Sequence, residues 1–323
     1  MSRAPARISF FGGGTDYPEW FRKYGGTVLS STINRYCYTV GSLSTTYLEK
    51  KAGRWLPFIG EQGDDYERSV VTKILRHLEA PAGVDIRTGC DTRRGSGLGT
   101  SATSIVSLLG CAYRLFGIDF DKEKLANDAI RVERHLLERS AGNQDHVAAS
   151  HGGFNHITFS QEGRNEVKRL TVSASRLQEL EACLRIVHTG RTRNSAEVAR
   201  TYALDKPICV AALKALSAMV DRAIAIVESN EDLSEFGALL DEAWHQKKKL
   251  STLISNATVD KLYEMAKAEG AIGGKLLGAG GGGFLLLFAS PSSHERIQRR
   301  LAPIRLECVT LDTSGFESWI CTS

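Results

Sequence analysis

The sequence predicts an α+β fold in which a sheet-rich amino-terminal part precedes a helix-rich carboxy-terminal part. Strand-like patterns of period two, as in residues 27–40, dominate the first half of the 323 residues. Long amphipathic helix patterns over residues 207–228 and 233–256 dominate the second half. No repeat or low-complexity tract interrupts the sequence. We therefore predict two lobes, residues 1–180 and 181–323.

The composition is that of an ordinary globular protein. Hydrophobic residues make up 42% and charged residues 24% of the chain, which is enough apolar surface for a sizeable core. The net charge of +4 is spread along the sequence, and this balance favours small anionic ligands over nucleic acid. The densest cationic run, residues 247–249, is interpreted as a solvated helix face.

The seven cysteines indicate a reducing compartment. Their number is odd and no CxxC pair occurs, so we expect them to form neither a disulfide framework nor a zinc site. No charged-then-apolar leader opens the sequence, and its most apolar stretch, residues 283–289, is too short to span a bilayer. We expect a cytoplasmic protein without a membrane or nucleic-acid partner, and a homodimer is compatible with the sequence.

A glycine-rich loop at residues 95–99 precedes a helix that is small or apolar on nearly every face. Glycines let a backbone approach a ligand, and the free N–H groups of a first helical turn bind phosphate. The hydroxyls of Thr100 and Ser101 suit a helix cap, a phosphate contact or magnesium ligation. Taken alone, a plain turn explains this loop equally well. The loop has neither the Gly-Lys-Ser/Thr of a P-loop nor the spacing of the dinucleotide motif.

Another glycine run, residues 278–283, matches the letters of the dinucleotide motif G-x-G-x-x-G. A strand pattern rather than a helix pattern follows it, so a pyrophosphate would meet no helix N-terminus there. We therefore interpret the match as a coincidence of letters and not as a dinucleotide-binding motif.

Glu133 is an acidic residue on an apolar helix face. At about 100° per residue, the apolar side chains between residues 125 and 137 form one arc, and Glu133 falls inside it. An inward carboxylate must be paired, protonated or bound to a cation, because an unpartnered buried charge is too costly. Metal binding and a structural ion pair with a neighbouring arginine both remain open.

Polar residues near two loops are further candidates. Asp145 lies at a loop-to-helix junction, where it can act as a cap, and His146 beside it is interpreted as a non-ligand. Arg7 and Asp16 bracket a glycine turn at residues 12–14. An arginine there can neutralise a catalytic carboxylate or hold a substrate hydroxyl, although a structural salt bridge explains the pair nearly as well.

Three segments in order, residues 7–16, 95–102 and 278–284, resemble the three motifs of the GHMP kinases, the family of galactokinase, homoserine kinase and mevalonate kinase. Gly-Gly-Gly-Thr-Asp in the first segment is similar to the variant of the heptose phosphate kinases and the bacterial fucokinase-like domains. The resemblance implies an amino-terminal domain like ribosomal protein S5 domain 2 and a ferredoxin-like carboxy-terminal domain. ATP would lie over the second segment, between the two domains.

The resemblance also implies roles for residues at matching positions. Asp145 would be the catalytic base, Arg7 would poise it, and Ser101 with Glu133 would hold Mg²⁺. The implied ATP-binding residues are Gly95, Ser96, Gly97, Leu98, Gly99, Thr100 and Ser101. The implied substrate-binding residues are Gly14, Thr15, Asp16, Gly281 and Gly282.

The activity implied by the resemblance is ATP-dependent phosphorylation of the anomeric hydroxyl of a sugar, with heptose 7-phosphate as the expected substrate. The phosphate already on that substrate needs an anion site, which we expect at residues 189–193 with Arg193. A charged turn between domains explains those residues equally well. A kinase of an unphosphorylated sugar such as fucose is one alternative activity. A non-catalytic sensor of sugar and ATP is another.

Overall fold

Two β-sheets with helices around them form the fold, as predicted. The computed structural model describes residues 1–43, 58–59, 65–81, 83–191, 195–202, 204 and 206–320. Within these ranges one sheet has eight strands and the other has four. Over the same ranges, no helix combines the length and the apolar character that crossing a bilayer requires.

The first sheet is organised around one long central strand, β2. Its strands are β1 (Ser2–Phe11), β2 (Gly26–Leu43), β3 (Phe58–Ile59), β4 (Val84–Cys90), β5 (Phe154–Phe159), β6 (Asn165–Arg169), β11 (Leu311–Asp312) and β12 (Glu317–Ser318). The start of β2 pairs with β5 and its end pairs with β4, while β1 runs antiparallel along much of its length. Because β1 is held in this way, the glycine turn that follows Phe11 has a fixed position at the end of the strand.

The first part of the chain contributes α1 (Pro18–Tyr24), α2 (Asp65–His77), α3 (Thr100–Phe116), α4 (Lys122–Arg131), α5 (Gln144–His151) and α6 (Ala174–Cys183). Most residues of α3 are buried, and the helix packs against β1 and β2. Its small side chains allow this close approach, in agreement with the sequence prediction of a buried helix. The glycine loop of residues 95–99 is therefore fixed to the sheet through the helix behind it.

The second sheet has the strand order β10–β7–β9–β8 and is antiparallel throughout. Its strands are β7 (Leu184–His188), β8 (Ala271–Leu276), β9 (Phe284–Ala289) and β10 (Leu306–Cys308). The accompanying helices are α7 (Ser195–Ala199), α8 (Pro207–Glu228), α9 (Ser234–Lys248), α10 (Ala257–Ala268) and α11 (His294–Leu301). Helix α9 packs against both α8 and β8, which places the end of α9 beside the glycine segment after β8.

Helix α9 is shorter than the predicted helix over residues 233–256. It ends at Lys248, and the chain then forms a loop that leads to Asn256. Asn256 caps α10 by accepting hydrogen bonds from the N–H groups of Thr258 and Val259. The loop is favoured because its side-chain cap satisfies N–H groups that would otherwise lack partners.

The two halves of the chain share a hydrophobic core. Phe236 of α9 packs edge-on against Phe10 and Phe11 of β1, with ring centroids 5.5 and 5.1 Å away. Strands β11 and β12 return from the carboxy-terminal part to pair with β2 and β1. The division of the chain near residue 180 stays a prediction.

The expectation of no disulfide framework missed one bond, because Cys37 and Cys90 are joined by a disulfide. The two residues lie opposite each other in the register of β2 and β4. A cysteine count and a search for CxxC do not detect residues that become neighbours only through sheet register. Among the described residues, Cys111, Cys183, Cys209 and Cys308 are free.

Candidate active site

A cavity of about 610 Å³ lies where the three glycine segments meet. The Phe284 N–H donates to Ser96 O at 2.8 Å, which ties the third segment to the second. A Cβ atom at Gly97 would lie only 2.6 Å from Leu277 O, so this approach requires glycine. The segment residues that line the cavity are Arg7, Ser9, Gly13, Gly14, Asp16, Gly95, Gly97, Gly99, Thr100, Ser101, Ala102, Gly278 and Ala279.

The second segment presents the start of α3 to the cavity. Gly95, Gly97 and Gly99 have φ angles of 75°, 85° and 78°, which glycine adopts without a steric penalty. Helix α3 begins at Thr100 without a side-chain cap. Thr100 and Ser101 line the cavity together with Ala102. This arrangement of unpaired helical N–H groups suits a phosphate.

Two residues predicted to bind ATP lie behind the loop instead of facing the cavity. Ser96 and Leu98 are buried, and the cavity lining includes neither of them. The hydroxyl of Thr100 is engaged inside the protein, at 2.8 Å from the Thr92 hydroxyl and 3.1 Å from that of Ser96. These side chains hold the loop, so a ligand would meet its glycine backbone.

Asp145 and Arg7 form an ion pair at the cavity wall. Nε and Nη2 of Arg7 lie 2.7 and 2.6 Å from Asp145 Oδ1, and Nη1 donates to Gly97 O at 2.8 Å. The Arg7 side chain is 4% exposed, whereas that of Asp145 is 25% exposed. The arginine is therefore fixed, and the carboxylate it orients remains accessible from the cavity.

Asp16 is held by backbone N–H groups at the opposite end of the first segment. Its Oδ1 accepts from Gly14 N at 3.1 Å, and its Oδ2 accepts from Gln144 N at 3.2 Å. Burial raises the pKa of Asp16, and the nearby charge of Asp145 raises it further. Thr15 does not line the cavity, and its hydroxyl donates to the backbone carbonyls of Gly12 and of Thr27 in β2.

Glu133 is buried, as the helical pattern predicts, but its helix changes pitch at this point. Residues Val132–Leu136 form a single π-helical turn, a feature that often occurs at functional sites. The Ser101 hydroxyl donates to Glu133 Oε1 at 2.9 Å, and His146 Nε2 lies 2.7 Å from Oε2. Arg139 lies further away, 3.6 Å from Oε1. Burial alone would raise the pKa of Glu133, but the contacts with His146, Ser101 and Arg139 outweigh it and lower the pKa.

The oxygen atoms of Ser101 and Glu133 fit a magnesium site. They are adjacent hard donors, and both residues line the cavity. Within the described ranges, no group of three or more His, Cys, Asp or Glu residues is arranged to hold a metal ion. Magnesium is usually held by one or two carboxylates together with substrate phosphates. A site of this kind would need a nucleotide to complete the metal's coordination.

Lys247 lies in the cavity wall, so the interpretation of residues 247–249 as a solvated face was wrong for this residue. Its side chain is buried, and Nζ donates to Leu276 O at 2.8 Å and Gly278 O at 2.5 Å. Lys247 follows Ala243 and Trp244 by four and three residues, and both of these are buried. This spacing places all three on one helix face, a signal that the sequence already contained.

Lys275 is another cation that sequence reasoning missed. It is buried in β8, and its Nζ donates to Phe10 O at 2.8 Å. Burial, and then the charge of Arg7, lower the pKa of Lys275 to about 7. Burial also lowers the pKa of Lys247 well below its usual value, with further contributions from Lys275 and Arg7. The three cations are therefore close enough to repel one another.

The third segment contributes different residues from those expected. Gly281 donates to Ile254 O at 2.7 Å, and a Cβ atom at Gly282 would lie 2.8 Å from Arg191 O. Neither glycine lines the cavity, whereas Gly278 and Ala279 do. The predicted anion-site residue Arg193 lies outside the described residues.

The cavity brings together a glycine loop at a helix start, an oriented carboxylate and a cluster of cations. These are the parts of a phosphoryl-transfer enzyme. Models of the GHMP kinase N-terminal and C-terminal domains match residues 66–153 and 214–306. The chain belongs to the GHMP kinase family and is an ATP-dependent kinase. The fold predicted from the three glycine segments is thereby confirmed.

Two relatives and one solved structure are similar to the chain along most of its length. The chain is 28% identical to the D-glycero-alpha-D-manno-heptose 7-phosphate kinase of Campylobacter jejuni, with 98% of each protein covered. It is also 28% identical to the bifunctional fucokinase/GDP-fucose pyrophosphorylase of Arabidopsis thaliana, over 92% of this chain and 30% of that protein. The crystal structure of a D-glycero-D-manno-heptose 1-phosphate kinase from Bacteroides thetaiotaomicron has a TM-score of 0.79, 26% identity and coverage of 100% and 99%.

Proposed function

We propose that this kinase phosphorylates the anomeric hydroxyl of a sugar, and that its substrate is D-glycero-α-D-manno-heptose 7-phosphate. The pairing of Asp145 with Arg7 carries the proposal of a phosphoryl transfer to a hydroxyl, because it places an oriented carboxylate beside the glycine loop. The similarity along almost the whole length of a heptose 7-phosphate kinase supports the sugar.

The charges of the cavity also favour a phosphorylated acceptor. Among the residues that the structure describes, its lining contains six cationic and three acidic side chains. The cationic residues are Arg7, Arg94, Arg139, Arg200, Lys247 and Lys275, and the acidic residues are Asp16, Glu133 and Asp145. An excess of cations suits two anionic ligands, a nucleotide triphosphate and a sugar phosphate, better than a nucleotide with a neutral sugar.

In the proposed reaction, the acceptor hydroxyl oxygen attacks the γ-phosphorus of ATP. The new O–P bond forms while the bond from the γ-phosphorus to the bridging oxygen breaks, and ADP leaves. The hydroxyl proton passes to Asp145 Oδ2, since Oδ1 is occupied by Arg7. Asp16, fixed by two backbone N–H groups, orients the sugar hydroxyls.

The start of α3 and the cations stabilise negative charge on the phosphates, which is the main contribution that proteins make to phosphoryl transfer. Ser101 and Glu133 would hold magnesium. When bound, that ion neutralises charge on the nucleotide phosphates.

A kinase of an unphosphorylated sugar such as fucose is the second candidate, because the chain also aligns over 92% of its length with a fucokinase-containing protein. A screen of free sugars and sugar phosphates for ADP release separates the two candidates. Heptose 7-phosphate should give the highest kcat/KM. A higher value for free fucose would contradict the heptose assignment, and no turnover of any sugar would favour the non-catalytic sensor.

Replacing Asp145 tests the assignment of the base. General-base catalysis contributes about 10²- to 10⁴-fold, so Asp145→Asn should lower kcat by that factor. The affinity for ATP, measured by calorimetry, should change little, because Asp145 lies beside Arg7 and not among the backbone groups of the loop. Turnover at the wild-type rate would show that another group accepts the proton.

A further inference from the structure

Two buried lysines face the cavity from elements of the carboxy-terminal part of the chain. Lys247 comes from the end of α9, and Lys275 comes from β8. They are 5% and 3% exposed, so their charges are almost completely removed from bulk water. The mechanism described above uses them only as part of the general positive charge of the cavity and assigns neither of them a particular ligand group.

The lysines have no carboxylate partner among the residues that the structure describes. Their ammonium groups donate only to the backbone carbonyls of Leu276, Gly278 and Phe10. Arg7, whose charge lowers the pKa of both lysines, is already paired with Asp145. Burying an ammonium group without a counter-charge is costly. Two such groups side by side therefore point to an anion that the folded chain itself does not supply.

The three cations contact the three glycine segments. Lys275 binds the carbonyl of Phe10 in the first segment, Arg7 binds that of Gly97 in the second, and Lys247 binds that of Gly278 in the third. All three residues line the same cavity. The cations thus converge where the segments meet.

We infer that Lys247 and Lys275, with Arg7 beside them, form a binding site for one phosphoryl group. A phosphate monoester carries about −1.5 to −2 charges near neutral pH. A bound anion favours the protonated form of both lysines, so each ammonium group can then pair with the phosphoryl oxygens. This inference deepens the proposed function, since it assigns a ligand group to the same cavity. The group comes either from the γ-phosphate of the nucleotide or from a phosphate on the acceptor.

Binding measurements on Lys247→Met and Lys275→Met distinguish these sources. A charge-assisted hydrogen bond is worth about 10- to 100-fold in affinity. If the γ-phosphate is bound, both variants should lose that factor toward the β,γ-imido analogue of ATP and keep wild-type affinity for ADP. If the acceptor phosphate is bound, the loss should fall on heptose 7-phosphate and spare both nucleotides. These binding measurements need no turnover, so their outcome does not depend on whether the enzyme phosphorylates the proposed sugar.

Lys248→Met is the matched control, because Lys248 follows on the same helix, is 33% exposed and lies 3.7 Å from Asp260. It should bind every ligand as wild type does. Lys247→Arg restores the charge and should recover part of the lost affinity. Melting curves of the methionine variants verify that they fold, since an apolar residue of similar length often stabilises a site that held a buried charge.

Two results would overturn the inference. One is unchanged affinity of both methionine variants for the imido analogue and for the sugar phosphate. The other is an equal loss for ADP, the analogue and the sugar phosphate, which would mean that the lysines only hold the glycine segments in place.

Discussion

Glu133 and Lys247 have similar surroundings on their helices but differ in which groups neutralise their charge. Each is a charged residue on an apolar helix face, and each is buried in the cavity wall. Glu133 is surrounded by Ser101, His146 and Arg139. Lys247 has only backbone carbonyls and, close by, other cations.

The acid in the cavity wall is therefore neutralised by the protein itself, whereas Lys247 lacks a counter-charge among the residues that the structure describes. Glu133 therefore contributes to stability as well as to a site. Lys247 lowers stability in the free protein and contributes when a ligand is present. Such departures from local consistency are concentrated at functional sites.

The largest expected effect on stability comes from removing the acid. Glu133→Ala leaves His146 and Arg139 without their carboxylate, and breaking a buried ion pair costs about 3–5 kcal/mol. Chemical denaturation of both proteins measures this difference. Lys247→Met should be neutral or stabilising in the same assay, and a large loss of stability in that variant would remove the contrast between the two residues.

A pH-dependent effect is expected for Lys275, and within any one pH unit it is smaller than the loss expected for Glu133→Ala. Its pKa is about 7 in the folded protein and 10.5 in the unfolded chain, so between these values the unfolded state holds a proton that the folded state lacks. The stability of wild type relative to Lys275→Met should therefore rise with pH from about 7 to 10, by up to about 1.4 kcal/mol per pH unit.

Below about pH 7 this slope should vanish, because Lys275 is then protonated in both states. Denaturation at a series of pH values tests the prediction. A stability difference that falls as the pH rises would show that Lys275 is not a buried cation with a lowered pKa.

The smallest effect is expected for Lys248, whose charge is shared with solvent and Asp260. Lys248→Met should change the free energy of unfolding by no more than about 0.5 kcal/mol. Equilibrium unfolding alongside Lys247→Met makes the comparison between adjacent lysines direct. If Lys248→Met lost as much stability as Glu133→Ala, solvent exposure would not explain the difference between Lys247 and Lys248.

Helical spacing predicts the burial of Glu133, and the same spacing is present around Lys247. The run of three lysines suggested a solvated face, although Ala243 and Trp244 mark the buried side of α9. Lys275 gives no such signal, because it is a single cation in a short strand whose burial depends on the sheet and on β1. The sequence pattern also predicted the loop before α3 and the buried helix behind it.

Contacts between residues that are far apart in the sequence could not be predicted from local sequence patterns. Arg7 and Asp145 are 138 residues apart, and only their family resemblance linked them before the structure did. The same resemblance identified the third glycine segment but not which of its residues face the cavity. That orientation depends on contacts such as the one between Gly281 and Ile254.

The pairing of β12 with the edge of β1 determines when during synthesis the first sheet can be completed. Arg3 pairs with Glu317, which lies 314 residues later in the chain. During synthesis the first strand is produced early, but this neighbour leaves the ribosome only after both lysines and all three glycine segments have been made. Pairing between such distant residues slows folding and leaves a strand edge open to other chains meanwhile. The outer edge of β1 at Ser2 and Arg3 therefore stays without its partner strand until the end of synthesis.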